Sequence, residues 1–253
     1  MRVFGLVIFG ALIGGNVQGQ QPDAGAPSRD DRLGNVLMQL VKSFKGNTAV
    51  QIPECTRIDK DSFGTKTWKG EVRFQKPNRF YLYLQQQEDK RFFECLVSTG
   101  STIYEFRPQF KKVVVHEVPA DGFGTRTGDM LSKMFGTTVD FRKRFDVDLH
   151  KDVSAANPNY IYIDIKPRSE PDQRDFNRAE LVLSARTMLP VRVWFERPNG
   201  SEVTWLLGNM VINPNFNATA FAPPRVPQGW ETVQEPLSRP TAQDDTKPRI
   251  IRP

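Results

Sequence analysis

The chain is poor in the side chains that most often carry chemistry. Among its 253 residues stand two histidines, His116 and His150, and two cysteines, Cys55 and Cys95. Neither pair has the spacing of metal ligands, so a zinc site is disfavoured. His116-Glu117 lacks the second histidine of a zinc-protease helix. Gly122-x-Gly124-x-x-x-Gly128 resembles a dinucleotide loop, but its spacing is off by one and no βαβ unit follows. The reading is therefore of a non-enzyme: no catalytic residue, no metal and no cofactor.

Long apolar runs are also missing after the first twenty residues. Residues 1–19 join a basic Arg2 to an apolar run from Val3 to Gly14 and a small-residue end at Val17-Gln18-Gly19, which is signal-peptide chemistry. That run is too short to span a bilayer, and no cysteine follows directly, as a bacterial lipoprotein signal would need. Export and a soluble mature chain are expected. A strong charge excess is lacking too: +6 for the whole chain falls to +5 without Arg2. This is weak evidence for anionic lipid surfaces and far from a nucleic-acid footprint. Export permits a disulfide, yet strand cysteines are often plain buried thiols. A Cys55–Cys95 bridge and two free thiols both stay open.

What the chain has in plenty is β-hairpin punctuation. From Glu71 to Val118, short β-branched and aromatic runs are cut by Pro77-Asn78, Thr99-Gly100 and Arg107-Pro108. Along the first run Val72, Phe74 and Lys76 point one way and Glu71, Arg73 and Gln75 the other; on the next, Phe80, Leu82 and Leu84 share a face. The pattern predicts one apolar and one wet face. A helix is expected from Asp30 or Asp31 to about Lys45, with Leu33, Val36, Leu37, Leu40, Val41 and Phe44 on one stripe and Gly46-Asn47 as its stop. A strand bent at Pro53 follows over 48–59. A short helix over 129–135 carries Met130, Leu131, Met134 and Phe135. Further strands are expected over 141–150, 160–166, 178–185, 190–197 and 202–211, the last two joined by an Asn199-Gly200 turn. About ten strands against two helices leave too few helices to roof the sheet. The sheet should curl on itself with helices at its mouth. One domain over 31–234 is preferred, with a linker over 20–30 and a Pro-rich disordered tail over 235–253.

Several words of the sequence resemble the LolA/LolB-like periplasmic lipoprotein carrier superfamily, which also includes the stress-sensing RseB proteins. They are Gly70-x-Val72-x-Phe74-x-Lys76-Pro77-Asn78-x-Phe80, Leu96-Val97-Ser98-Thr99-Gly100-Ser101-Thr102-Ile103-Tyr104, Leu189-Pro190, Asn199-Gly200-Ser201-Glu202-Val203-Thr204, Asn209-Met210-Val211-Ile212-Asn213 and the closing Phe221-Ala222-Pro223-Pro224 segment. Each is short; their order and spacing carry the likeness, which is to a divergent, mostly uncharacterised secreted branch. The resemblance implies an unclosed antiparallel β-barrel with helices forming a lid over a concave apolar face. It implies a soluble, monomeric periplasmic carrier or chaperone that shelters acyl chains of lipoproteins or lipids and meets membrane donor and acceptor proteins. It also implies no catalysis. Val72, Phe74, Phe80, Leu82 and Leu84 then line the cavity, and Met130, Leu131, Met134 and Phe135 belong to the lid; without the resemblance that helix reads as core with methionine as filler. The family typically has an arginine just before this proline, tying the lid shut. Here it is Lys76, with Arg79 three residues on, and lysine lacks the planar five-donor fork. Two other readings stay open: an RseB-like lipid sensor, and a structural or interaction protein whose cavity its own side chains fill. Glutamate at Phe80 or Leu82 is expected to reduce lipid occupancy and leave the fold intact.

Overall fold

The computed structural model describes residues 29–44, 46–118, 144–150 and 157–235. A first helix, α1 (Arg29–Phe44), precedes thirteen strands: β1 (Ala49–Asp61), β2 (Gly64–Gln75), β3 (Arg79–Gln86), β4 (Phe93–Thr99), β5 (Thr102–Arg107), β6 (Lys112–Glu117), β7 (Phe145–Leu149), β8 (Tyr160–Pro167), β9 (Arg178–Ser184), β10 (Pro190–Glu196), β11 (Glu202–Leu207), β12 (Val211–Ile212) and β13 (Glu231–Gln234). A one-turn helix over 170–173, α2, links β8 to β9.

The strands form one sheet in the order β13-β6-β5-β4-β3-β2-β1-β11-β10-β9-β8-β7, with β12 added beside the start of β1. Its two edges, β13 and β7, do not pair, so the barrel is unclosed. The fold is mainly β, an open half-barrel with few helices, as expected. Neighbours are antiparallel except β13, which runs parallel to β6 from Glu231↔Lys112 to Gln234↔Val115.

Local chemistry accounts for most boundaries. Leu33, Leu37 and Leu40 bury one stripe of α1 in the main core, and Val36 and Phe44 pack against it. Gly46 ends the helix with φ at +84°, a conformation glycine adopts without a Cβ penalty, and Asn47 Nδ2 donates to the Ser43 carbonyl at 2.7 Å. The bend expected at Pro53 is a bulge: pairing with β2 shifts register between Ile52 and Cys55. That bulge also splits the partner on the other side. β11 pairs with residues 55–60 of β1 and β12 with Val50 and Gln51. The single strand expected over 202–211 therefore breaks, and it breaks at Gly208, where a Cβ would stand 2.5 Å from the Glu54 carbonyl oxygen.

Three other expectations need correction. The second strand begins at Gly64, before Glu71, because a tight turn capped by Asp61 Oδ1 on the Phe63 amide closes a long β1–β2 hairpin. The face opposite the main core is not simply wet. Cys95, Val97, Phe106 and Val113 form a second buried cluster there, flanked by Tyr81, Tyr83, Phe93, Tyr104, Val115 and Trp230. Phe93 and Trp230 stack with ring centroids 6.0 Å apart, so the segment that leads into β13 roofs it. Glu235, assigned to the tail, still donates its backbone N–H to the Val115 carbonyl at 3.0 Å.

Candidate functional site

The five residues expected to line a cavity come together on β2 and β3. Register places Phe74 opposite Phe80, Val72 opposite Leu82 and Gly70 opposite Leu84. Leu96 of β4 faces Leu82 in turn. All belong to the main core with the α1 leucines, and Val72, Phe74, Phe80 and Leu82 are 4% exposed and Leu84 0%. The patch is one continuous apolar floor on the concave face, and in this state it is covered. Gly70 lets the floor coil: a Cβ there would stand 1.7 Å from the Tyr83 carbonyl oxygen, so nothing larger fits between β2 and β3. Burial also overturns one expectation. Glutamate at Phe80 or Leu82 would place a carboxylate in the core without a partner, and the fold would not survive it intact.

Lys76 and Arg79, assigned to the latch, flank the exposed β2–β3 turn. The Lys76 backbone N–H donates to the Thr48 carbonyl at 2.8 Å, and Arg79 Nη1 reaches Gln75 Oε1 at 3.5 Å. The lid residues Met130, Leu131, Met134 and Phe135 lie outside the described residues.

Cys55 and Cys95 are free thiols. Cys55 points into the main core and Cys95 into the cluster on the opposite face, with β2 and β3 between their strands, so no bridge can join them. Burial pushes each thiol up to about 12, which keeps both protonated and unreactive. His116 is built into the β13 clasp. Its Nδ1 lies 2.8 Å from the Glu235 carbonyl, and its Nε2 faces Glu105 at 3.8 Å. Among the described residues no group of three potential ligands could hold a metal ion, and no helix is long and apolar enough to cross a membrane.

A polar cluster on the same concave face was not anticipated. Arg57 of β1 is 4% exposed and stands between Trp68 of β2 and Trp205 of β11, its register partners. Its guanidinium carbon lies 5.0 Å from one ring centroid and 5.6 Å from the other. Nη1 and Nη2 donate to the two oxygens of Glu94 on β4, each at 2.7 Å, and Nη2 also meets Asp59 Oδ2 at 3.1 Å. Desolvation opposes the Arg57 charge, but its bonds to Glu94 and Asp59 win and hold the guanidinium above its usual range. Desolvation raises the Asp59 carboxyl, with Arg57 opposing it. A faint signal existed: Cys55, Arg57 and Asp59 alternate on one side of a strand with a buried face. Nothing local says that Glu94 and Trp205 would meet them.

No family model and no curated protein matches the chain. Among solved structures it is similar to an uncharacterised conserved protein from Thermus thermophilus, at 13% identity and a TM-score of 0.47, over 81% of this chain and 99% of that one. It is similar to the MucA/MucB complex of Pseudomonas aeruginosa, at 13% identity and a TM-score of 0.37, over 72% of this chain and 58% of that one. It is also similar to a LolA superfamily protein from Nitrosomonas europaea, at 8% identity and a TM-score of 0.34, over 75% of this chain and 97% of that one.

Proposed function

We propose that the chain is a non-enzymatic carrier that shelters the acyl chains of a lipid or lipoprotein against the concave face of its sheet. One observation supports this reading: an unclosed sheet bears a continuous apolar floor, Val72, Phe74, Phe80, Leu82 and Leu84, that shares one buried cluster with the apolar stripe of the amphipathic helix α1. Fully burying the three α1 leucines is worth about 5–9 kcal/mol at about 1.5–3 each. An acyl chain of about 15 methylenes gains about 12 kcal/mol on leaving water, at about 0.8 per CH₂. The two are of one order, so hydrocarbon can displace the helix when present and the helix can cover the floor when it is not. On this reading the mature domain spans 31–234 and works after export, in the envelope, with membrane donor and acceptor proteins as partners.

The test is organic extraction of the purified full chain followed by lipid mass spectrometry. Acyl species at a fixed ratio to protein are expected. A lipid-free extract, together with no binding of added monoacylglycerol, refutes the carrier reading and favours a fold whose concave face is filled by its own residues.

A further inference from the structure

A hydrophobic carrier needs no charge in its floor, yet this floor contains one. Arg57, Trp68 and Trp205 form a row across β2, β1 and β11, and Glu94 reaches in from β4. Among the described residues, four buried polar atoms in the cluster have no hydrogen-bond partner: Arg57 Nε, Trp68 Nε1, Trp205 Nε1 and Asp59 Oδ1. Each such group costs about 1–3 kcal/mol. Buried polar groups left without partners call for a ligand or another role.

Resting on the carrier reading, we infer that Arg57, Trp68 and Trp205 form an anchor for the acyl carbonyl of the cargo, the ester or amide oxygen at the head of its hydrocarbon chain. Three of the four unpartnered atoms are N–H donors, so the complementary group is an acceptor oxygen. The site is electrically balanced: Arg57 and the nearby Arg197 carry two positive charges, Asp59 and Glu94 two negative. A neutral carbonyl fits that balance better than a phosphate or a free carboxylate, which would have to compete with Glu94 for the guanidinium. Asp59 Oδ1 adds one acceptor, suited to the hydroxyl of a glyceride or the N–H of an amide. The tail beyond the carbonyl would lie on Val72, Leu82 and Leu84, next to Gly70, in the same core cluster as the two tryptophans.

The test compares 1-monomyristoylglycerol with 1-O-tetradecylglycerol, its ether, which differs in lacking the carbonyl. Both are titrated calorimetrically below their micelle concentrations into the full chain and into its Trp68→Phe and Trp205→Phe variants. The native chain should bind the ester about tenfold more tightly than the ether, the worth of one or two hydrogen bonds. Each variant should lose most of that ratio, whatever its effect on ether affinity, while circular dichroism shows the fold retained despite the smaller ring. Myristoylglycine amide, with the same carbonyl on a peptide, separates the sources: tighter binding than the ester assigns the anchor to lipoprotein, weaker binding to glyceride. Equal affinity of native protein for ester and ether overturns the anchor and leaves the carrier intact. So does an ester-to-ether ratio unchanged in both variants. Failure of both lipids to bind overturns the carrier and the anchor with it.

Discussion

Replacing Glu94 by alanine removes the bidentate partner of Arg57 and leaves the guanidinium, 4% exposed, with Asp59 as its one ion-pair partner among the described residues. Both bonds to Glu94 are 2.7 Å, and the Arg57 and Glu94 side chains are 5% and 19% exposed, so the guanidinium left behind is itself almost wholly shielded from solvent. Breaking one partner of such a pair costs about 3–5 kcal/mol, most of it the uncompensated charge. The flanking indoles retain part of the cation's stabilisation, about 1–2 kcal/mol, so about 3 kcal/mol is expected. In a domain of about 200 residues that lowers the thermal midpoint by about 6–12 °C. Arg57→Met should cost less, because it removes the charge together with its need for a partner, and Arg57→Met/Glu94→Leu should recover most of the loss. Urea unfolding of the native chain, both single variants and the double variant closes the cycle. Additive losses, or a Glu94→Ala effect below about 1 kcal/mol, would refute the view that this pair braces the concave face across β2 and β3.

Three further outcomes are expected. The pair of Glu105 and His116 makes the β13 clasp dependent on pH. Against desolvation, His116 and Arg107 hold the Glu105 carboxyl down at about 2, and the Glu105 carboxylate in turn holds the His116 imidazolium above its usual range. The Glu105 contribution is thus present above 4.5 and lost as pH falls toward 2, and that of His116 is present below 6.5 and lost as pH rises through its raised value. The native chain should lose about 0.5–1 kcal/mol between pH 6 and 9 relative to His116→Gln, given solvent screening; equal pH profiles for the two proteins would contradict this. Cys55 and Cys95 should resist a thiol reagent in native buffer and react together on unfolding; modification of either in the folded chain would contradict their burial. Phe80→Glu and Leu82→Glu should each unfold the domain or cost more than about 4 kcal/mol, read by circular dichroism, and a cooperative, near-native melt would contradict the covered floor.

The features legible in the sequence were those decided within a few residues. Pro77-Asn78, Gly100 and Asn199-Gly200 turn the chain by their own backbone preferences, and each sits at the hairpin expected of it: Gly100 and Gly200 have φ of +109° and +77°. The α1 stripe was legible because helical period and burial coincide. The apolar floor was legible as alternation, though not that it would be covered, since alternation tells which side chains share a face and not what lies against it. The first half of β2 hid because Thr65-Lys66-Thr67 runs along an exposed rim and Trp68 alone in that stretch is buried, too little for an alternation to show. β13 hid because its partner β6 lies more than a hundred residues earlier and its strand is four residues long. The Arg57 cluster hid for the same reason at larger scale. Residues 57, 68, 94 and 205 meet through the registers of β1, β2 and β11 and a reach across from β4.

Trp68 and Trp205 stand on the concave face and Trp230 on the opposite cluster, so the protein holds its own reporter of where hydrocarbon lies. Bromine quenches indole emission at short range, and monoacylglycerols brominated along the tail can be titrated into the Trp68→Phe/Trp205→Phe variant and the native chain side by side. If acyl chains ride on the concave face, the native emission is quenched strongly and the double variant, left with indoles that do not line the floor, is quenched little. Equal quenching in both, or none in the native chain at concentrations where lipid is bound, would contradict the account.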